Sequence, residues 1–214
     1  MRLPRLLALL VLLSAATPLF AGSDDGKSTV TASVLQDPLS KGDTEFDVLG
    51  GYFHSPITTG GTKRPELDYA GSDFRYGYVF TPAICNNCPF MRGAWELLID
   101  GFGEGITEGP GNYLVGGSLL FRYNFFHPGS RFIPYVQLGG GGLHSDAAED
   151  PDQRLIGGQF EFVLEADLGV RFLLTDHWSI LAEGGFQHIS NADTASRNVG
   201  VNALGGRLGL GFAF

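Results

Sequence analysis

Alternate residues of a β-strand face opposite sides of the sheet, and this chain follows that rule over most of its length. Within residues 157–174, Phe160, Phe162, Leu164, Ala166, Leu168, Val170, Phe172 and Leu174 share one face, opposed by Glu161, Glu165, Asp167 and Arg171. Residues 92–106 set Trp95, Leu97 and Ile99 against Glu96, Asp100 and Glu104. Residues 111–126 set Tyr113, Val115, Leu119, Phe121, Tyr123 and Phe125 against Asn112, Ser118, Arg122 and Asn124. Eight such segments are expected, at 45–56, 72–82, 92–106, 111–126, 130–146, 157–174, 178–191 and 201–214. No amphipathic helix stands out, and no run is as long as the 18 or so apolar residues of a membrane helix.

Alternation alone does not say which face points inward, because a lipocalin-like soluble barrel would turn the apolar face to its lumen. Three features decide the matter. An eight-stranded lumen is too narrow for large Phe, Trp and Leu side chains at nearly every position of long strands. The segments exceed the roughly 9–11 residues that cross hydrocarbon at a tilt. The chain also stops at Phe212-Ala213-Phe214, a terminal aromatic that resembles the recognition signal of bacterial outer-membrane barrels. The expected fold is all-β: an eight-stranded antiparallel transmembrane β-barrel with a lipid-facing apolar exterior and a polar interior. Glu96, Asp100, Arg122, Glu161, Glu165, Arg171, Glu183 and Arg207 would satisfy one another inside it as a structural plug.

An even strand number puts both ends of the barrel in the periplasm. The stretches near 57–71, 147–156 and 192–200 then become external, and the cysteine-bearing connection 83–91 becomes periplasmic.

The first residues change the picture at one end. Arg2 and Arg5, the apolar block Leu6–Leu13 and small residues up to Ala21 read as a secretory signal over 1–21, with Ala16 a competing cleavage point. A flexible periplasmic lead is expected over 22–44 and one barrel domain over 45–214. Without Arg2 and Arg5, the 14 basic residues become 12 against 23 acidic, a formal charge of −11. Nucleic acid is excluded as a partner. Cys85 and Cys88 lie in a turn of an exported chain, so a local disulfide or a pair of idle thiols is expected rather than a redox or zinc motif.

Strand parity also singles out one cluster of chemistry. Trp178, Ile180, Ala182, Gly184, Phe186, His188 and Ser190 share the lipid face of the seventh segment, and that segment runs outward. An imidazole and a hydroxyl therefore sit at the depth of the outer-leaflet headgroups. Asn202, on the outward face of the eighth segment with Leu204, Leu208, Leu210, Phe212 and Phe214, falls beside them.

The segment His188-x-Ser190-Asn191-Ala192, followed by Asn198, Gly200 and position 202, resembles the lipid A 3-O-deacylase (PagL-type) family. The resemblance implies an outer-membrane esterase that hydrolyses an ester-linked acyl chain of lipopolysaccharide, with lipid A as substrate or ligand. Ser190 would be the nucleophile and His188 the base, with Asn191, Asn198 or backbone N–H groups of the 191–200 turn as oxyanion donors. No cofactor is implied, and a homodimer is compatible. One position departs from the pattern, since Asn202 stands where the family has Glu. The competing expectation is a noncatalytic eight-stranded barrel that binds lipopolysaccharide or another partner.

Overall fold

The computed structural model describes residues 36–55, 58–59, 62–63 and 66–214. The signal expected at 1–21, most of the lead and the tip of the first outer loop lie outside the described residues. Eight strands form one closed antiparallel barrel: β1 (Thr44–His54), β2 (Asp68–Val79), β3 (Gly93–Glu108), β4 (Tyr113–Phe125), β5 (Phe132–Ser145), β6 (Phe160–Leu173), β7 (Trp178–Ser190) and β8 (Val201–Ala213). Each pairs with its sequence neighbours, and β8 closes on β1 through Glu45 to Ala213 at one end and His54 to Leu204 at the other. A two-residue ribbon, Thr58–Thr59 with Thr62–Lys63, sits in the first outer loop. No helix among the described residues is long and apolar enough to cross a membrane.

The second strand departs most from its expected bounds. It begins at Asp68 rather than 72 and ends at Val79 rather than 82. Its early start carries no alternation of its own; it is stabilised by pairing with β1 up to Phe53 and with β3 through a register shift at Asp68 and Tyr69. Pro82, which lacks a ladder donor, lies just beyond its early end.

Even-numbered residues of β6, β7 and β8 point outward, as the parity argument requires. Leu168, Leu204 and Leu208 are 69%, 60% and 68% exposed. Each such side chain in water would forgo about 1.5–3 kcal/mol of burial, so the belt they form is stable against hydrocarbon and not against water. Aromatic pairs cluster at the periplasmic end of this belt, among them Trp178 with Phe212 and Trp95 with Tyr123, both with ring centroids 4.9 Å apart. Rings at that depth suit the membrane interface.

The lumen is divided. Its middle is charged: Arg75 reaches Asp73 and Asp100 at 3.0 Å, Arg122 reaches Glu45 at 3.0 Å, and Arg207 reaches Glu165 at 3.2 Å. All three arginines are at most 2% exposed. Toward the outer end an apolar cluster joins buried polar groups such as Asp68, Glu104 and Glu161. Phe53, Leu67, Phe102, Leu114, Leu143, Leu155, Ile156, Val163, Ile189 and Val201 form one buried cluster there. The inward face of β7 and β8 behind His188 and Asn202 therefore rests on packed hydrocarbon.

At the periplasmic end, Leu39 packs with Val79, Ala94, Phe126 and Ile133, and Asp37 pairs with Arg92 at 2.7 Å. The described part of the lead is thus anchored to the barrel, because its one large apolar side chain finds a pocket in the strand ends. Cys85 and Cys88 are joined in a disulfide in the β2–β3 turn.

Candidate active site on the outer rim of β7 and β8

The pairing register brings the site together. His188 is directly opposite Asn202 across β7 and β8, and opposite Leu164 across β6 and β7. Ser190 is opposite Phe162, so both polar groups stand between apolar side chains of β6 and the start of β8. His188 and Ser190 are half-buried, whereas the intervening Ile189 is 1% exposed and packs into the apolar cluster of the lumen.

His188 Nδ1 lies 2.7 Å from Asn202 Oδ1. An amide oxygen only accepts, so this contact puts the ring proton on Nδ1 and leaves Nε2 as an acceptor. A general base needs that tautomer. No hydrogen bond joins the Ser190 hydroxyl to the ring among the described residues. Residues two apart on a strand are separated by about 6.8 Å, so the ring and the hydroxyl meet only if their side chains lean toward each other.

Gly200 keeps the space between them open. A Cβ added there would lie 3.5 Å from His188 Cε1 and 3.7 Å from Ser190 Cβ. Its φ of +73° is also one that L side chains rarely adopt. Its N–H donates to Leu155 O at 3.0 Å and the N–H of Val199 to Arg154 O at 3.1 Å, which ties the β5–β6 loop to the start of β8.

The β7–β8 loop begins with a tight turn. Ala192 and Asp193 have φ of 50° and 63°, and Thr194 N–H donates to Asn191 O at 3.0 Å. Two left-handed central residues are the mark of a type I′ turn. Asn191 is 1% exposed; its amide donates to Arg197 O at 2.8 Å and to Glu161 Oε1 at 3.4 Å, and its own N–H donates to Asn198 Oδ1 at 3.0 Å. Asn198 Nδ2 donates once, to Asp193 Oδ1 at 2.9 Å. Asp193, the one nearby acid on this loop, is therefore turned to Asn198 rather than to His188.

Arg197 closes the arrangement from outside, donating to the carbonyls of Ala148, Asp150 and Gln153 at 2.6–3.1 Å. Asp146, at the head of the 3₁₀ turn Asp146–Glu149, accepts from the Asn112 N–H and amide, and those bonds hold its carboxyl below the usual range. A cavity of about 500 Å³ lies between the two outer loops, lined by Arg154, Asp193, Arg197 and Asn198 among others.

Strand parity thus reached His188, Ser190 and Asn202, and the structure brings them to one rim. It did not reach the loop clamp by Arg197, for which a lone arginine in a polar loop gives no signal. It also passed over His54. That residue ends the outward set Phe46, Val48, Tyr52 on β1, as Ser190, two residues past His188, ends one on β7, so the same rule would have found it.

A family model described as Lipid A 3-O-deacylase (PagL) matches residues 89–211, more than half of the chain, including His188, Ser190 and Asn202. The crystal structure of the outer membrane enzyme PagL is similar at a TM-score of 0.52 and 17% identity, covering 76% of this chain and 97% of that one. Neisserial surface protein A matches at a TM-score of 0.45 and 15% identity, covering 80% and 94%. The Yersinia pestis protein Ail matches at 0.36 and 13%, covering 81% and 99%. No curated protein sequence matches. Matched by the family model over more than half its length and folded as a closed eight-stranded barrel, the chain is a bacterial outer-membrane protein that belongs to the lipid A 3-O-deacylase (PagL) family.

Proposed function

We propose that the protein is a serine-type esterase that removes an ester-linked acyl chain from lipid A, working from the lipid face at the outer-leaflet headgroups. The observation that carries this reading is the 2.7 Å contact between His188 Nδ1 and Asn202 Oδ1 beside an outward-facing Ser190. With Nδ1 protonated, Nε2 accepts the Ser190 hydroxyl proton as Oγ attacks the acyl carbonyl carbon. The imidazolium then gives that proton to the sugar oxygen as the ester C–O bond breaks. Water, deprotonated by the same nitrogen, attacks the acyl-serine carbonyl carbon; the bond to Oγ breaks, the proton passes from Nε2 to Oγ, and the fatty acid leaves.

The oxyanion needs donors. Asn198 Nδ2 carries two hydrogens and spends one on Asp193, so it keeps one; Asn191 Nδ2 spends both. The N–H of Ala192 has no partner among the described residues and lies two residues from the nucleophile. Asn198 and this N–H are the donors we assign. Asn202 orients the ring but brings no negative charge to stabilise the imidazolium, so turnover is slower than with a carboxylate in its place.

Mass spectrometry of lipid A from membranes carrying the wild type, Ser190→Ala, His188→Ala and Asn202→Glu tests this reading. Loss of one acyl chain with the wild type, abolished in Ser190→Ala and His188→Ala, is the expected result. No change with any version of a folded barrel would sink it. The second reading, a noncatalytic barrel that binds lipopolysaccharide, draws on the missing Ser190 to His188 hydrogen bond; lipid A retained on the barrel but unaltered would favour it.

A further inference from the structure

A second imidazole, outside the site just described, stands on the same rim. His54 ends β1 on the outward face, directly across from Leu204 of β8, while Asp68 opens β2 one step beyond the paired residues Phe53 and Tyr69. The His54 side chain is 48% exposed and that of Asp68 only 5%. Asp68 is held from three directions: Tyr52 O–H donates to Oδ2 at 2.6 Å, the Ser55 N–H to Oδ1 at 3.0 Å, and His54 Nδ1 lies 2.9 Å from Oδ2. Glu66 Oε1 approaches the same ring nitrogen at 3.4 Å.

Those distances bring two carboxylates onto one ring nitrogen. A ring nitrogen carries at most one proton, and Asp68 takes it. Glu66 therefore faces an N–H already given away and a second carboxylate nearby, and it makes no hydrogen bond among the described residues. One ligand atom from each of His54, Glu66 and Asp68 lies within 4.8 Å of the others. Two carboxylates converging on one imidazole favour positive charge between them, and a divalent ion can take the place of the ring proton there.

The geometry points to a divalent-cation site formed by His54 Nδ1, Glu66 and Asp68. A tetrahedral ion with bonds of about 2.0–2.1 Å needs ligand atoms about 3.4 Å apart, against observed nitrogen-to-oxygen distances of 2.9 and 3.4 Å. One imidazole with two carboxylates suits Zn²⁺ better than Ca²⁺ or Mg²⁺, which take oxygen ligands in larger number. On binding, Nδ1 gives its proton to water and its lone pair to the ion. The Tyr52 hydroxyl and Ser55 N–H already fix the carboxylate of Asp68, the support that metal ligands need from their neighbours. Three protein ligands leave a fourth position open to water or an oxygen anion.

The experiment is a calorimetric titration of ZnCl₂ into the tag-free barrel refolded in phosphate-free detergent, without lipid A. One Zn²⁺ per chain is expected in the wild type and in His188→Ala. Binding is expected to be lost in His54→Ala and Asp68→Asn, and weakened about tenfold in Tyr52→Phe. Heat-modifiable gel migration checks that every variant is folded. Absence of stoichiometric zinc binding in the wild type, survival in both His54→Ala and Asp68→Asn, or loss in His188→Ala would each overturn the proposal. None of these outcomes depends on the esterase reading, which is judged by lipid A mass alone.

Discussion

Two imidazoles stand near the outer ends of two outward strand faces on the same rim, and their partners differ in kind. His188 meets an amide oxygen, Asn202, with an outward hydroxyl two residues along its strand. His54 meets a carboxylate, Asp68, with a second carboxylate behind it and Tyr52 bracing the first. The amide fixes a tautomer without charge, which suits a base that must carry a proton briefly. The carboxylate pair accumulates negative charge, which suits a cation that stays. The residue across the strand, rather than the histidine, decides which chemistry the rim supports.

The sharpest way to break this comparison is to remove the nucleophile. Ser190→Ala should lower the rate of lipid A deacylation by about 10³-fold or more, since members of such a unit act together. A rate within tenfold of the wild type would assign the chemistry elsewhere. Exchanging the partner sharpens it: Asn202→Glu should raise the rate about tenfold or more, because a carboxylate also stabilises the imidazolium, while Asn202→Leu should lower it by a similar factor. Single-turnover kinetics on purified lipid A in detergent would read both, and a rate indifferent to position 202 would remove Asn202 from the mechanism.

Gly200→Ala should lower turnover by about tenfold with the barrel still folded. The new Cβ enters between the ring and the hydroxyl, and the left-handed backbone adds about 1–2 kcal/mol of strain. The smallest effect belongs to Arg197→Ala. It removes a guanidinium from three carbonyls, worth about 1.5–3 kcal/mol for a charged donor, and should speed protease cleavage within 146–159 and 191–200 without unfolding the barrel. Unchanged cleavage would show that the loops are held by their backbone bonds alone.

Much of this was legible along the chain. The period of two in β3, β4, β6, β7 and β8 names their outward faces, because a one-residue slip would turn every large apolar side chain into the lumen. The same parity carries His188, Ser190 and Asn202 to one surface. The start of β2 was not legible: Asp68-Tyr69-Ala70-Gly71 has no alternation and is a strand through its partners. The apolar cluster toward the outer end of the lumen was hidden for a related reason. Leu155 and Ile156 come from a loop that folds inward, and period two says nothing of loops.

The sequence by itself determined the strand number, the lipid face and the common face of His188, Ser190 and Asn202, since each follows from local alternation and strand order. Only the tertiary structure decided what those residues touch. The register across β7 and β8 sets Asn202 against His188, and the turn at Ala192 and Asp193 directs Asp193 to Asn198 instead. The meeting of His54, Glu66 and Asp68 depends on two strands and the connection between them. Distances of this kind arise from closure of the sheet, which fixes side chains remote in sequence within a few ångströms of one another, and no local pattern encodes them.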